Sequence, residues 1–409
     1  MIERKITLRL KNALGDNPVV LLHGARQTGK STLIKHLIET GLPANYVTLD
    51  DAGVLSAAQN DPHGFLQGYE GCLAIDEVQR VPEIFRAMKK LVDNDRKPGK
   101  YLLTGSANIM LVPKLSESLA GRIEILHLYP FSQNEISGSV YNFVDDIFSK
   151  NFKISSVVKN INSLSTKFIL GGYPEIQNRE NEERRNAWFK SYITTILQRD
   201  VRDLANIEKL SQLPRLLHLF ASRAGTLLNF AELSRSAAIP QTTLKRYISL
   251  LEATFMIYLL PAWSGNLSKR LIKTPKVYLT DTGLLSHLTG FSKNRIQSDA
   301  LTWGRIVENF VLMEIIKQVS WSNNDLSIYY FRTSSGQEVD FIIERNDGSL
   351  VCIEVKASAS VNRSMFNNIQ IFAGETKKKF LRGIVLYTGN EAIPFANNLF
   401  ALPISILWK

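Results

Sequence analysis

Four short apolar runs in the first part of the chain alternate with amphipathic stretches of helical pattern. The runs are PVVLLHG, YVTLD, CLAIDE and YLLTGS. Continuous apolar character over a few residues, bounded by turn residues, is typical of strands that are buried on both faces of a parallel sheet. The pattern therefore predicts an α/β fold in which helices connect the strands of a parallel sheet.

The strand–helix alternation stops after LYPFS, near Ser132. The chain to about Lys190 is mixed and less apolar, the stretch from Ala187 to Pro261 is mostly helical in periodicity, and a new strand-rich pattern begins near Leu326. These changes predict an α/β core, a helical lid or linker, a helical middle module and a second α/β domain. The predicted boundaries are 1–132, 133–186, 187–294 and 295–409.

The segment GARQTGKS matches the phosphate-loop pattern G-x-x-x-x-G-K-[ST] and lies between a predicted strand and a predicted helix. Its glycines let backbone amides surround phosphates, Lys30 reaches the β and γ phosphates, and Ser31 supplies an oxygen to Mg²⁺. The segment thus predicts ATP and Mg²⁺ as cofactors. The predicted nucleotide-binding residues are Gly24, Ala25, Arg26, Gln27, Thr28, Gly29, Lys30, Ser31 and Thr32.

Acidic and polar residues follow the next predicted strands. In CLAIDEVQ, we expect Asp76 to hold the Mg²⁺ shell and Glu77 to orient or deprotonate the attacking water. In YLLTGSAN, Ser106 and Asn108 are candidates to sense the γ-phosphate. In LAGRIEI, Arg122 is a candidate catalytic arginine finger, but a lone arginine is also common as a solvated or structural residue.

In its first part the chain resembles the AAA+ ATPases. The order of GARQTGKST, AIDEVQ, LLTGSAN, LAGR and the later GGYPE is similar to that of a widespread group of prokaryotic AAA+ ATPases. The resemblance extends over nearly the whole chain. It implies that a winged-helix module and a C-terminal nuclease-like domain of unknown function follow the ATPase core.

The middle region has the pattern helix, turn, helix, strand. Pro240 stands where a second helix should begin, and Leu244 and Tyr247 of that helix can pack inward. Its outward residues are of the types that contact bases and phosphates, although winged helices also serve as protein–protein modules. The residues predicted to bind DNA on this helix and on the basic stretch after it are Gln241, Thr242, Lys245, Arg246, Lys269, Arg270 and Lys273.

The stretch GQEVDFIIERNDGSLVCIEVKAS, residues 336–358, predicts two strands around a polar turn. Because every second side chain of a half-buried strand faces water, one interpretation is a surface hairpin with exposed charges. Glu354 and Lys356, however, share one face of their strand and lie close in sequence to the strand of Asp340. The alternative interpretation is a metal site.

These residues resemble the PD-(D/E)xK nuclease superfamily, in which a hairpin carries Asp and then (D/E)-x-K, and an acid comes from the preceding helix. Asp340, Glu354 and Lys356 stand in that order, with Glu308 in the helical segment WGRIVENFVLMEII. The resemblance implies that the three acids bind Mg²⁺ and that Lys356 orients the nucleophile. A domain of this shape that binds DNA without cutting it is the alternative.

The composition favours a polyanionic partner. The 409-residue chain has a net charge of +11, and a basic surface attracts nucleic acid, although a solvated basic face has the same composition. Cys72 and Cys352 lie in apolar runs, which predicts small buried side chains in a reducing compartment. Because no apolar stretch is long enough to span a bilayer, we expect a cytoplasmic protein without a membrane partner.

These patterns predict an ATP-dependent DNA-processing or DNA-remodelling enzyme, acting on DNA that includes branched forms such as four-way junctions. Two alternatives stay open. One is an ATP-controlled DNA-binding switch with a silent nuclease fold, and the other is a signalling or scaffold ATPase with a protein partner. An arginine finger that acts between subunits would favour a homo-oligomer.

Overall fold

The computed structural model describes residues 2–106, 119–150, 152, 164–201, 212–266, 268, 270 and 273–409. The described residues contain three sheets, of five, three and six strands, which follow one another along the chain. None of the helices among these residues combines the length with the hydropathy that a membrane span requires.

The first sheet is parallel throughout. Its strands are β1 (Val19–His23), β2 (Ala44–Thr48), β3 (Cys72–Asp76), β4 (Tyr101–Gly105) and β5 (Ile123–His127). The helices of this region are α1 (Thr7–Asp16), α2 (Lys30–Glu39), α3 (Ala52–Asn60), α4 (Pro62–Gln67) and α5 (Ile84–Asn94), with a 3₁₀ turn at Val78–Arg80. The strand order is β2-β3-β4-β1-β5. The predicted parallel α/β sheet is confirmed, and β5 adds a strand at its edge.

Both faces of this sheet are buried, which explains the continuous apolar runs. Val19 and Leu21 of β1 belong to one hydrophobic cluster, which includes Met88 of α5. The alternate residues Val20 and Leu22 belong to a second cluster on the other face, with side chains of α1 and α2. Because the strands are parallel, their carboxyl ends meet at one edge, where the predicted nucleotide residues follow β1, β3 and β4.

Short helices follow the first sheet. They are α6 (Gln133–Ser137), α7 (Phe143–Asp146), α8 (Leu164–Leu170), α9 (Pro174–Gln177) and α10 (Glu182–Thr195), which continues into a π-helical turn at Ile196–Asp200. Part of this predicted lid is bound to the C-terminal region. The backbone N–H of Gln133 donates to Glu314 at 2.8 Å, and that of Phe143 donates to Gln318 at 2.7 Å.

The described residues of the middle region form four helices and a small antiparallel sheet. Its elements are α11 (Leu213–Ser222), β6 (Thr226–Leu227), α12 (Phe230–Ala237), α13 (Gln241–Ala253), β7 (Ile257–Leu260), β8 (Lys276–Leu279) and α14 (Thr282–Thr289). The strand order is β6-β8-β7, so β8 is the central strand. Helices α12 and α13 meet at a turn in which Ala238 adopts left-handed backbone geometry.

The C-terminal region is a mixed sheet between helices. Its elements are α15 (Ala300–Trp321), β9 (Leu326–Arg332), β10 (Glu338–Arg345), β11 (Leu350–Lys356), α16 (Asn367–Thr376), β12 (Phe380–Tyr387), β13 (Ile393–Ala396) and β14 (Leu399–Pro403), with 3₁₀ turns at Lys293–Arg295, Arg363–Phe366, Lys377–Lys379 and Ile404–Trp408. The strand order is β13-β14-β12-β11-β10-β9. Strands β10 and β11 pair antiparallel with Phe341 opposite Ile353, which confirms the predicted hairpin.

The segment between β7 and β8 is packed onto the C-terminal sheet. The N–H of Trp263 donates to the carbonyl of Tyr330 at 2.6 Å, and the Trp263 ring lies 4.9 Å from that of Phe372. The guanidinium of Arg270 pairs with Glu344 at 2.5 Å. Part of the basic stretch that was predicted to contact DNA therefore makes its contacts with other residues of the same chain.

One continuous apolar core joins the helical segments to the C-terminal sheet. It contains side chains from the predicted lid, the middle module and the C-terminal domain, such as Phe168, Leu251 and Ile353. The predicted boundary between residues 294 and 295 therefore crosses a shared core.

Candidate functional site

The phosphate loop connects the carboxyl end of β1 to the start of α2. A Cβ on Gly24 would lie 2.2 Å from the carbonyl oxygen of Leu128, so only glycine fits there. Gly29 has a φ of 93°, which is left-handed geometry that favours glycine, and it directly precedes Lys30, the first residue of α2. The loop geometry leaves the amino terminus of α2 facing the site, as an anion-binding loop requires.

Lys30 lies inside the loop. Its Nζ donates to the carbonyl oxygens of Gly24 at 2.8 Å and Ala25 at 2.9 Å, and the residue is 5% exposed. Burial lowers the pKa of Lys30 to about 8, against the opposing charges of Glu77 and Asp76. A bound phosphate would add negative charge and favour the protonated ammonium.

Three hydroxyl groups converge on Asp76 at the end of β3. Ser31 Oγ lies 2.9 Å from Asp76 Oδ2, Tyr46 OH donates to the same oxygen at 2.8 Å, and the Thr104 hydroxyl donates to Oδ1. Adjacent ligands of an octahedral Mg²⁺ with bonds of 2.0–2.1 Å are about 3 Å apart. The Ser31 and Asp76 oxygens therefore fit two neighbouring positions of a Mg²⁺ shell.

Glu77 follows Asp76 in left-handed backbone geometry, with a φ of 57°. Its Oε2 accepts a hydrogen bond from Ser106 Oγ at 3.2 Å and another from the amide of Gln79, which also donates to Ser106 at 3.1 Å. The structure thus brings Ser106 next to Glu77, as a γ-phosphate sensor would require. Asn108 lies outside the described residues.

Helix α10 supplies a wall of the nucleotide site that sequence reasoning missed. A cavity of about 420 Å³ lies between the phosphate loop and this helix, and Trp188, Tyr192 and Thr195 line it. The rings of Trp188 and Tyr192 are stacked, with centroids 5.0 Å apart and planes inclined by 8°. The sequence signal that could have indicated this wall is the spacing of Trp188 and Tyr192, because residues four positions apart lie on one face of a helix.

Arg26 connects the phosphate loop to the turn after α10. Its Nε lies 2.7 Å from both carboxylate oxygens of Asp200, which is 5% exposed. Burial raises the pKa of Asp200, while the hydrogen bond from Arg26 acts in the opposite direction. Sequence reasoning did not select Asp200, because nothing near it in the sequence links it to the phosphate loop.

Arg122 lies at the opposite end of the sheet from the phosphate loop. It precedes Ile123, which pairs with Val19 at the start of β1, whereas the loop follows the end of that strand. Arg122 Nε pairs with Asp93 at 2.5 Å. Within one chain, Arg122 therefore does not reach the phosphate site, and a finger role would require a second copy of the chain.

Helix α13 exposes the polar side chains that the periodicity predicted. Its outward residues are Gln241, Thr242, Lys245 and Arg246. Leu244 and Tyr247 are buried, as expected. Of the basic residues after β7, Lys273 is exposed, Arg270 is held by its ion pair with Glu344, and Lys269 lies outside the described residues. Arg270 is thus a correction to the predicted DNA-binding set.

An open cleft of about 1180 Å³ extends from the start of α13 to the C-terminal hairpin. Gln241 lines one part of the cleft, and Lys276 and Glu338 line another. Two arginines also line it: Arg332, which is exposed and pairs with Glu338 at 3.0 Å, and the half-buried Arg305, which donates to the carbonyl of Ser222. The cleft therefore runs from the predicted DNA-reading helix to Lys276 and to Glu338, the first residue of the C-terminal hairpin.

The predicted nuclease residues come together where α15 meets the hairpin. Lys356 Nζ donates to Glu354 Oε1 at 2.6 Å, and Asp340 Oδ2 accepts a hydrogen bond from the N–H of Val355 at 2.8 Å. Burial and the charge of Asp340 raise the pKa of Glu308 to about 7 and that of Glu354 to about 8. The side chains therefore share one electrostatic environment, as the motif predicted.

A lysine that sequence reasoning placed only in the basic stretch of the middle module lies within this cluster. Lys276 Nζ is 3.4 Å from Glu308 Oε1 and 4.0 Å from Asp340 Oδ1, and Tyr278 donates to Glu308 at 2.6 Å. In the described ranges, no group of three or more His, Cys, Asp or Glu side chains has a geometry that could hold a metal ion. The Mg²⁺ that the nuclease resemblance implies does not fit this arrangement, in contrast to the expectation from the motif.

Family models match three consecutive parts of the chain. An AAA domain matches residues 16–137, and two domains of unknown function, DUF8612 and DUF4143, match residues 161–295 and 303–407. Among solved structures, the Walker-type ATPase Paby2304 of Pyrococcus abyssi is similar with a TM-score of 0.45 and 16% identity, covering 70% of this chain and 96% of that one.

Curated relatives match over most of their length. MJ1544 of Methanocaldococcus jannaschii is 24% identical over 376 residues, which are 87% of this chain and 78% of that protein. Rv2008c of Mycobacterium tuberculosis, an uncharacterised protein, is 31% identical over 407 residues, which are 98% of this chain and 84% of that protein. This similarity over almost the full chain, together with the AAA domain, shows that the chain belongs to the family of prokaryotic AAA+ ATPases that includes Rv2008c.

Proposed function

We propose that this protein hydrolyses ATP and binds DNA through its middle region, and that the bound nucleotide controls the DNA-binding surface. The observation that carries the proposal is a direct contact between the strand that leads into the phosphate loop and the end of α13. Phe255, two residues after α13, packs its ring against His23 and His127 at centroid distances of 5.2 and 4.6 Å. His23 directly precedes Gly24 of the loop.

The ATPase half of the proposal uses residues that lie together at one edge of the sheet. Backbone amides of the loop and Lys30 would bind the phosphates, Ser31 and Asp76 would hold Mg²⁺, and Glu77 would orient and deprotonate the attacking water. Bound Mg²⁺ would neutralise phosphate charge. Ser106, which contacts Glu77 at 3.2 Å, would position that carboxylate relative to the γ-phosphate.

Two contacts support nucleotide control. His23 and His127 are neutral at physiological pH, because burial and the charge of Lys30 lower the pKa of His23 to about 4, and burial lowers the pKa of His127 well below its ordinary value. Because the rings of His23 and His127 are uncharged and packed against Phe255, a displacement of the phosphate loop would move Phe255 by direct contact. On the other side of the loop, the pair of Arg26 with Asp200 connects it to α10.

The DNA-binding half rests on α12, α13 and the cleft. We interpret these helices and the adjacent three-stranded sheet as a winged-helix module, with α13 as the recognition helix. Lys245 and Arg246 would contact phosphates, and Gln241 and Thr242 would contact base edges or phosphates. Arg305 and Arg332 line the cleft, with Arg332 paired to Glu338 at 3.0 Å, and we expect a duplex or a branched DNA to follow the cleft from α13 to the hairpin.

Trp188 is expected to bind the base of the nucleotide. Stacking of a base on an aromatic side chain contributes about 1–3 kcal/mol, so Trp188→Ala should weaken ATP binding by about tenfold. Inorganic triphosphate lacks the base, and its affinity should stay unchanged. Isothermal titration of both ligands checks this, and equal losses for the two would contradict a role in base binding.

Binding of labelled DNA tests the proposal directly. A panel of single strands, duplex, flaps and four-way junctions should be measured without nucleotide, with ADP and with a non-hydrolysable ATP analogue, over a range of salt concentrations. We expect affinity to depend on the nucleotide and to fall steeply with salt. The double variant Lys245→Ala/Arg246→Ala should reduce the salt slope by about one unit per lost phosphate contact.

A matched control removes two exposed lysines elsewhere. Lys377→Ala/Lys378→Ala has the same change of net charge but lies beyond α16, and it should leave the salt slope unchanged. Phe255→Leu should retain DNA binding while reducing its dependence on nucleotide. An unchanged slope in the α13 double variant would instead assign α13 to a protein partner, and the ATPase assignment would stand without DNA.

A further inference from the structure

The C-terminal acidic cluster is centred on a lysine from another region of the chain. Lys276 is the first residue of β8, the central strand of the middle sheet, and its side chain is 2% exposed. Its Nζ lies 2.5 Å from Glu338 Oε1, 3.4 Å from Glu308 Oε1 and 4.0 Å from Asp340 Oδ1. The ammonium group thus has three carboxylates around it where β8 meets the hairpin.

We propose that the Lys276 ammonium is the resident cation of this cluster, and that it occupies the position of a divalent metal ion and prevents one from binding. The C-terminal region is then a nuclease-like fold without a resident metal. This inference goes beyond the proposed function, because it concerns the C-terminal cluster and holds whether or not α13 binds DNA.

The charge of the cluster supports this assignment. Carboxylates that are buried side by side repel one another unless a cation compensates them. The Lys276 ammonium lies 2.5 Å from Glu338, 3.4 Å from Glu308 and 4.0 Å from Asp340, and its positive charge compensates these carboxylates.

The distances around the Lys276 ammonium differ from those of a metal site. Mg²⁺ needs oxygen ligands at 2.0–2.1 Å, whereas the oxygens here lie at ammonium distances, from 2.5 to 4.0 Å. A metal ion at the same place would be repelled by the lysine charge. Because Lys276 pairs with Leu227 and Leu260 across the sheet, its backbone is held on both sides. Entry of a metal would require the Lys276 side chain to leave this position.

One oxygen of the cluster lacks a partner in this arrangement. Glu354 is 6% exposed, and its Oε1 accepts from Lys356, but within the described part of the chain its buried Oε2 has no hydrogen-bond partner. An unpaired buried carboxylate oxygen is costly. It is a ligand that the cluster could offer to a metal ion once the lysine charge is removed.

Substitution of Lys276 should convert the cluster into a metal site. The full chain with Lys276→Met should be compared with the parent. Both proteins carry Asp76→Asn, which weakens metal binding at the phosphate loop, and both are free of nucleotide. Mn²⁺ binding is measured by calorimetry and by thermal unfolding. We expect no saturable Mn²⁺ binding at the cluster of the parent, and a new site in the variant that raises its Tm by about 5 °C at a 100-fold excess over Kd.

Three controls separate metal binding from general destabilisation. Lys276→Arg keeps the positive charge and should bind no Mn²⁺. Lys317→Met removes another buried lysine, which pairs with Glu314 at 2.8 Å, and should lower the Tm without rescue by Mn²⁺. Adding Asp340→Asn to Lys276→Met should abolish the new site. If Lys276→Met folds poorly, Lys276→Gln replaces it in the same Mn²⁺-binding measurements. The yield of refolded Lys276→Met with and without Mn²⁺ is then a second test of metal binding.

Two results would overturn the proposal. The first is Mn²⁺ binding by the parent that Asp340→Asn abolishes, since the cluster would then hold a metal beside Lys276. The second is a folded Lys276→Met or Lys276→Gln variant that gains no Mn²⁺ binding, since the lysine would then not be what excludes the metal. Neither result bears on ATP hydrolysis or on the α13 salt slope.

Discussion

Replacing Lys30 with alanine is expected to abolish ATP binding and turnover, whereas Glu77→Gln should leave ATP bound and slow its hydrolysis by about 10²-fold or more. Lys30 is directed into the phosphate loop, where its Nζ lies within 2.9 Å of two loop carbonyl oxygens that a phosphate would replace as partners. Glu77 instead acts on water. Equilibrium binding of a fluorescent ATP analogue and steady-state phosphate release separate these two effects.

Glu83→Gln is the matched control, because Glu83 is an exposed acid shortly after the same strand. It should retain both binding and turnover. If Glu77→Gln hydrolysed ATP at the parent rate, Glu77 would not be the base, and another residue near the γ-phosphate would have to take that role. If Lys30→Ala retained turnover, the phosphate-loop assignment itself would fail.

Removal of the Asp281 carboxylate is expected to cause a large loss of stability, about 2–4 kcal/mol in the free energy of unfolding. Asp281 is 1% exposed and caps α14 by accepting from the N–H of Leu284 at 3.0 Å. It also accepts from the N–H of Gly172 at 2.6 Å, in the GGYPE motif. Asp281→Ala would leave both buried N–H groups unpaired. Urea denaturation of the parent and the variant measures the difference in their free energies of unfolding.

Asp299→Ala is the comparison, since Asp299 also caps a helix, α15, by accepting from the N–H of Thr302 at 3.1 Å. That carboxylate is 24% exposed, so its loss should cost about 1 kcal/mol. Equal costs for the two substitutions would contradict the view that Asp281 connects the GGYPE segment to α14. The motif would then need a role outside the core.

Features that depend on a few neighbouring residues were predictable. The phosphate loop needs two glycines, a lysine and a serine at fixed spacing between a strand and a helix, and the structure places Gly24, Gly29, Lys30 and Ser31 accordingly. The periodicity of α13 likewise predicted which side chains are buried, because burial on a helix follows its repeat.

Partners that come from distant segments were not predictable. The Arg270 guanidinium was expected to face DNA, but it lies over the Trp263 ring at 5.3 Å and pairs with Glu344. Asp200 reaches Arg26, and Phe255 reaches His23, in each case from another part of the chain. These contacts depend on how the helices and sheets pack, for which a single sequence offers no local pattern.

The sequence by itself determined the parallel sheet, the phosphate loop and the order of acids on the C-terminal hairpin, because strand burial, loop geometry and alternation are properties of short segments. The tertiary structure decided what those acids face. The first residue of β8 enters the hairpin cluster because the middle sheet and the C-terminal sheet share a core, and this packing puts the Lys276 ammonium where the motif predicts a metal ion. The chemistry of the cluster therefore depends on a contact between modules, which the motif alone does not contain.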